Sequence, residues 1–279
     1  MLETLTARDG TELRLHHWPT TGAARGTVHL VHGLGEHSGR YQALAQTLNS
    51  AGWHAAGLDL RGHGESAGPR GGIPDAQALL SDLSIAIDRL RGIGAPGPHV
   101  LLGHSMGGLI AARFVAAELL GPAPTWFRHV DGLVLSSPAL DPGLNVFQRA
   151  LLRTLAPLAP RLPLGNGLKP AWICRDADVV RRYAEDPLVH DRVTPRLVRF
   201  IVDSGRQVIA CAPRWKLPTL LMWAGADRCV APSGSAAFAA AAPTEMVDSK
   251  PWPGLFHEIF NEPERDQVTT QLLQWLGRY

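Results

Sequence analysis

Short apolar runs alternate with helix-period segments along most of the chain. The runs cover residues 27–33, 54–62, 99–105, 130–138, 218–227 and 245–254, and each ends in a Gly, Ser, Pro or Asp of the kind that lets a strand turn away from a sheet. Ahead of them, residues 3–19 read as a hairpin, with Leu5, Leu13 and Leu15 flanking the turn pair Asp9-Gly10. Between the runs, residues 75–92 place Leu79, Leu80, Leu83, Ile87 and Leu90 on one helical face, and a second helix is predicted over 105–120. Strand and helix in alternation imply crossover connections, so the pattern predicts an α/β protein with a mostly parallel sheet covered by helices on both faces.

One stretch breaks the alternation. Between Pro138 and Pro218 lie about 80 residues with no clear strand, far more than a single crossover needs. Residues 1–140 and 217–279 therefore read as one core, and 141–216 as a helical insertion. In it, Leu144, Phe147, Leu151 and Leu155 recur at helical spacing with Arg149 and Arg153 on the other side, before Pro157, Pro160 and Pro163 stop the helix. Residues 178–186 and 194–206 are predicted as further short helices.

Charge sharpens that division. The net charge of +2 excludes a nucleic-acid footprint, but residues 144–216 carry 13 basic against six acidic side chains, which leaves the core acidic. No run approaches the roughly 18 apolar residues of a membrane span, and Glu3 and Asp9 stand where a signal peptide would be basic and then apolar. Three cysteines, Cys174, Cys211 and Cys229, share no C-x-x-C spacing, so neither a disulfide framework nor a zinc site is expected from them. The expected location is the cytoplasm.

Chemistry enters at Gly103-His104-Ser105-Met106-Gly107. This G-x-S-x-G follows a strand run and opens a helix, the strand, sharp turn and helix of a nucleophile elbow, where glycines are needed because side chains would strike the neighbouring strand and helix. A serine hydroxyl is a poor nucleophile at neutral pH. It needs an imidazole to accept its proton and a carboxylate to fix the imidazole's tautomer. These partners should follow in the order acid then histidine, at the tips of later strands, where Asp227 and His257 stand. Asp141, after the run ending at Pro138, is the rival acid. Among the twelve histidines, His16, His17, His29, His54, His99 and His129 read as surface or strand residues. Oxyanion donors are expected at the Met106 N–H and, in the loop His32-Gly33-Leu34-Gly35, at the Leu34 N–H. No metal or cofactor is called for.

HGLGEHSGRY (32–41), DLRGHGES (59–66), GHSMGG (103–108), YAEDPL (183–188), GADRCV (225–230) and FHEIFNE (256–262) together resemble the monoacylglycerol lipase and lysophospholipase group of α/β-hydrolases. The resemblance implies the α/β-hydrolase fold, Ser105, Asp227 and His257 as catalytic triad, and Leu34 and Met106 as oxyanion donors. It also implies a glycerol-end cluster of Glu36, Arg40, His104 and Tyr183. The insertion then corresponds to a cap over the acyl pocket, with an arginine-flanked apolar helix suited either to roof the site or to touch a membrane surface. The implied substrate is a small single-chain lipid ester. A short-chain esterase or an aminopeptidase-like hydrolase is the alternative, and a non-catalytic scaffold would be expected to have lost a triad member.

Overall fold

The N-terminal alternation closes as a hairpin in which β1 (Leu2–Thr6) pairs antiparallel with β2 (Glu12–Trp18), Leu5 opposite Leu13, and Gly10 takes a left-handed turn conformation at φ +84°. The structure, a computed structural model, describes residues 1–279. The strands continue with β3 (Gly26–Val31), β4 (Trp53–Asp59), β5 (His99–His104) and β6 (Gly132–Ser136). Two-residue strands β7 (Leu164–Gly165) and β8 (Arg192–Val193) pair only with each other, and β9 (Thr219–Ala224) and β10 (Val247–Trp252) complete the main sheet. Its order is β1-β2-β4-β3-β5-β6-β9-β10, antiparallel from β1 to β4 and parallel from β4 to β10.

The helices are α1 (Gln42–Ser50), α2 (Ala78–Gly92), α3 (Met106–Val115), α4 (Ala117–Leu120), α5 (Val146–Leu158), α6 (Ala177–Glu185), α7 (Pro195–Cys211), α8 (Pro232–Ala241) and α9 (Arg265–Leu276). The strands sort them by the two-residue period of their side chains. Leu101, Leu133, Leu135 and Leu221 point to a core shared with α2, α3, α7 and α8, while Val100, Leu102, Val134, Leu220 and Met222 point to a second core with α1 and α9. All of these strand side chains are buried, and each contributes about 1.5–3 kcal/mol relative to exposure. A sheet covered on both faces leaves its strand ends as the place for polar loops to meet.

The predicted elements are present, with shifted ends. The helix predicted over 105–120 breaks at Ala116 into α3 and α4. Leu144 lies outside α5, which starts from an Asn145–Gln148 capping box: the Gln148 N–H donates to Asn145 Oδ1 at 2.8 Å and the Asn145 N–H to Gln148 Oε1 at 2.9 Å. Pro157 sits within the last turn of α5 instead of ending it sooner. α7, capped by the Thr194 hydroxyl, runs to Cys211, beyond the predicted end at 206, because Val208 and Cys211 continue its buried stripe.

Residues between β6 and β9 add no strand to the main sheet. They are tied to it at several points. The His190 N–H donates to Gly35 O at 2.8 Å, the Thr194 N–H to Gly71 O at 2.9 Å, and the Glu258 N–H to Ile173 O at 2.8 Å.

Candidate active site

β5 delivers Ser105 into a conformation that L-residues seldom adopt, φ +53° and ψ −120°, and α3 begins at the next residue. Such strain persists only where the surroundings hold it. Here the Ser105 N–H donates to Ser136 O at 2.9 Å and the Ala139 N–H donates to Ser105 O at 2.9 Å, clamping the turn to the end of β6. The glycines are forced by contact, since a Cβ on Gly103 would lie 2.4 Å from Gly107 O, and one on Gly107 would lie 2.0 Å from Val31 O. The Met106 N–H, first in α3, makes no hydrogen bond within the protein, and neither does the Leu34 N–H. The Leu34 loop lies against the serine: a Cβ on Gly33 would be 3.2 Å from Ser105 Cβ. Two free backbone donors thus flank the elbow, one at a helix N-terminus whose dipole favours negative charge.

Asp227 follows β9 and His257 follows β10. Asp227 Oδ1 accepts the N–H groups of Cys229 at 2.8 Å and Val230 at 3.1 Å, which leaves Oδ2 to take the Nδ1–H of His257 at 2.7 Å. A carboxylate only accepts, so the proton sits on Nδ1 and Nε2 keeps its lone pair. Burial pulls the His257 imidazole toward neutrality, yet Asp227, with Glu258 and Glu36 further off, outweighs it and raises His257 above the ordinary histidine value. Asp227 is held below its usual range: burial opposes its charge, and the His257 ring with the two backbone N–H groups prevails. The His257 ring packs 4.6 Å from that of His104, the residue before Ser105. Asp141 holds no imidazole: its carboxylate accepts the Gly143 N–H at 2.9 Å, while His257 Nδ1 is held by Asp227.

Glu36, Arg40 and His104 lie beside this pair in a buried ionic cluster. Arg40 donates from both ends of its guanidinium to Glu258, at 2.7 Å each, and also to Glu36. Glu36 Oε1 further accepts the Gly33 N–H at 2.6 Å and the Tyr41 hydroxyl at 2.8 Å. Burial opposes its charge, but Arg40, His104 and His32 with the Gly33 N–H hold it down at about 2. His104 is pushed down to about 4 by burial and by His257, so it is neutral at ordinary pH. Tyr183, from α6, reaches the cluster through Arg40, whose guanidinium stands 4.7 Å over its ring. A polar cavity of about 660 Å³ opens beside the cluster between α1, α6 and α9, with Glu36, Arg40, His104 and Glu258 on its wall. No triad candidate lines it; His104 separates it from His257.

The structure thus brings together Ser105, Met106, Leu34, His104, Glu36 and Arg40, with His257 against His104 and Asp227 behind it. Three partners went unread in the sequence. Glu258, next to His257, is the second carboxylate on Arg40; Asn261 Nδ2 donates to Glu258 Oε2 at 2.7 Å; and Tyr41 completes Glu36. Glu258 and Asn261 fall within FHEIFNE, yet nothing local points to an arginine more than two hundred residues earlier. Asp186 likewise leaves its own motif to meet His37 Nε2 at 2.9 Å, pinning the insertion to the loop that carries Glu36.

The family model described as serine aminopeptidase, S33, matches residues 22–264. A monoacylglycerol lipase of Mycolicibacterium smegmatis is 32% identical over 262 residues, covering 93% of this chain and 90% of that one. An uncharacterized abhydrolase domain-containing protein of Dictyostelium discoideum is 29% identical over 98% of this chain, which spans 28% of its length. Among solved structures, the monoacylglycerol lipase of Paleococcus ferrophilus superposes with a TM-score of 0.82 at 35% identity, covering 95% of this chain and 98% of that one.

Proposed function

We propose, for a chain that belongs to the serine aminopeptidase S33 family of α/β-hydrolases, the hydrolysis of carboxylic esters of single-chain lipids, monoacylglycerols or lysophospholipids, through an acyl-enzyme. The observation that carries this reading is the 2.7 Å Asp227–His257 pair beside a strained serine elbow. Ser105 Oγ attacks the ester carbonyl and His257 Nε2 takes the hydroxyl proton. Asp227 keeps Nδ1 protonated and offsets the imidazolium charge as it forms. The carbonyl oxygen, now an oxyanion, takes the Met106 and Leu34 N–H groups, each worth about 10²–10³ in kcat in comparable sites. His257 returns the proton to the leaving alcohol, and water repeats the sequence on the acyl-enzyme.

The polar cluster offers hydrogen-bonding groups to a polar headgroup, with Glu36 and Glu258 sharing the one Arg40. The headgroup end is assigned to the side chains of Glu36, Arg40 and His104, with Tyr183 positioning Arg40.

Residues 141–216 are assigned as a cap that meets the lipid surface. α5 has no buried residue; Phe147 is 76% and Leu158 78% exposed, with Val146 and Leu151 beside them, while Leu144 and Leu155 are half-covered. Arg149 and Arg153 flank this strip, and each basic residue near an anionic surface contributes about 1 kcal/mol. No helix is long and apolar enough to cross a membrane, so the contact is interfacial.

The test is a panel of monoacylglycerols, lysophospholipids, short aryl esters and aminoacyl-arylamides with the native chain and Ser105→Ala. Turnover of long-chain esters that disappears in Ser105→Ala is the expected result. Turnover of the short esters or arylamides alone overturns the lipid reading.

A further inference from the structure

Arg113, on α3 two turns beyond Ser105, is a cation the protein leaves unmatched. Its Nε donates to Gln207 Oε1 at 2.8 Å, but Nη1 is buried without a hydrogen-bond partner and the guanidinium forms no ion pair. Burial accordingly pushes it below the usual arginine value, with only the Cys211 thiol acting the other way. The side chain as a whole is half-buried, but a buried guanidinium nitrogen left without a hydrogen-bond partner is costly.

Beside it lies a cavity of about 350 Å³ walled by α2's N-terminal end, α3, the Trp126 turn and α7, with Arg113, Arg196, Arg199, Gln77, Gln207 and Trp126 around it. The polar groups there are overwhelmingly donors. Gln77 Oε1 accepts Trp126 Nε1–H at 3.2 Å, and Gln207 Oε1 accepts Arg113 Nε–H. Trp and Arg N–H groups can only donate, so both amides are oriented with their NH₂ ends left over. Asp203 is the one carboxylate on the wall, and Arg199 Nε already holds it at 2.7 Å. Arg196 Nη1 donates to the Ile73 and Pro74 carbonyls and Arg199 is held by Asp203, so the guanidinium of Arg113 and the two amide NH₂ groups are what the cavity has left for an anion.

We infer that this cavity binds an oxyanion, a phosphate or the carboxylate of a fatty acid, with Arg113 as its central ligand. Phosphate and carboxylate both present the planar or tetrahedral oxygen pairs that a guanidinium fork matches. Because α2 and α3 belong to the core and α7 to the inserted segment, a bound anion joins the two and stabilises the native state by mass action. The site is separate from the ester chemistry and stands without it.

The test is thermal unfolding in phosphate and in octanoate, each against chloride at equal ionic strength. The native chain should gain about 3–5 °C for each tenfold rise in the binding anion above its Kd. A response to phosphate alone, to octanoate alone or to both assigns the anion. Arg113→Met should fold, since it removes an unmatched charge and keeps the aliphatic volume, and should lose the response. Gln207→Glu places a carboxylate beside Arg113, and should raise the melting temperature without added anion while also losing the response. No anion-specific gain in the native chain, or a gain that survives Arg113→Met, overturns the site.

Discussion

Arg40→Met separates a structural ion cluster from a mere headgroup contact. The Arg40 side chain is 11% exposed, and its two carboxylates, Glu36 and Glu258, are 4% and 6% exposed. Deleting the shared cation leaves two negative charges in a poorly solvated site. Breaking a buried pair in this way costs about 3–5 kcal/mol. Gly33, Tyr41 and Asn261 still donate to the carboxylates, which places the expected loss near the lower end, about 3 kcal/mol. At about 2–4 °C per kcal/mol for a chain of this size, the melting temperature should fall by about 6–12 °C. Urea unfolding and calorimetry at pH 7 measure it. The pH dependence gives a second signature. Glu36, held at about 2 by Arg40, contributes stability that is present above its unfolded value and is lost as pH falls toward 2. Without Arg40 the carboxylate is left to burial and rises, so the variant's deficit should shrink as the pH is lowered through the range where Glu36 then protonates. Adding Glu258→Gln to Arg40→Met should recover part of the loss at pH 7. A loss below about 1 kcal/mol, the range of exposed ion pairs, or a deficit that does not change with pH, refutes the buried-cluster argument.

Three further outcomes follow from the same geometry. Asp227→Asn should lower kcat by about 10⁴ with the fold retained, because an amide donor facing Nδ1 favours the wrong tautomer; steady-state kinetics with circular dichroism check it, and a loss under tenfold would assign the acid elsewhere. Activity should rise with pH through an acid limb centred above 6.5, since only neutral His257 accepts the serine proton and its carboxylate neighbours raise it; a kcat/KM profile with a midpoint below 6 contradicts this. Gly33→Ala should cut kcat far more than Leu34→Ala, because its Cβ would lie 2.9 Å from Glu36 Oε1 and 3.2 Å from Ser105 Cβ, whereas Leu34 serves through its backbone; equal effects would mean that the loop does not approach the nucleophile.

How much of this was legible in the sequence depended on the range of the physics involved. Gly103 and Gly107 bracket a turn whose partners lie nearby in the chain and in β3, so the elbow could be read from five residues in their strand-and-helix setting. Asp227 and His257 could be placed because a parallel sheet sends each strand end to the same edge, which turns chain order into position. α5 was legible as a helix but not in its burial. Its apolar positions would suit either a roof or a surface, and only the packing shows Phe147 in the open with Leu155 half-covered.

Periodicity, turn residues and one pentapeptide by themselves determined an α/β sheet with an inserted helical segment and a candidate serine elbow at a strand tip, because each is written in neighbouring residues. Only the tertiary structure decided the company those residues keep. Arg40 meets Glu258 across 218 positions and Asp186 meets His37 across 149, while Arg113 meets no carboxylate at all. Charge pairing acts through space over a few ångströms, whatever the distance along the chain, so a sequence can supply the charges without recording which of them are matched.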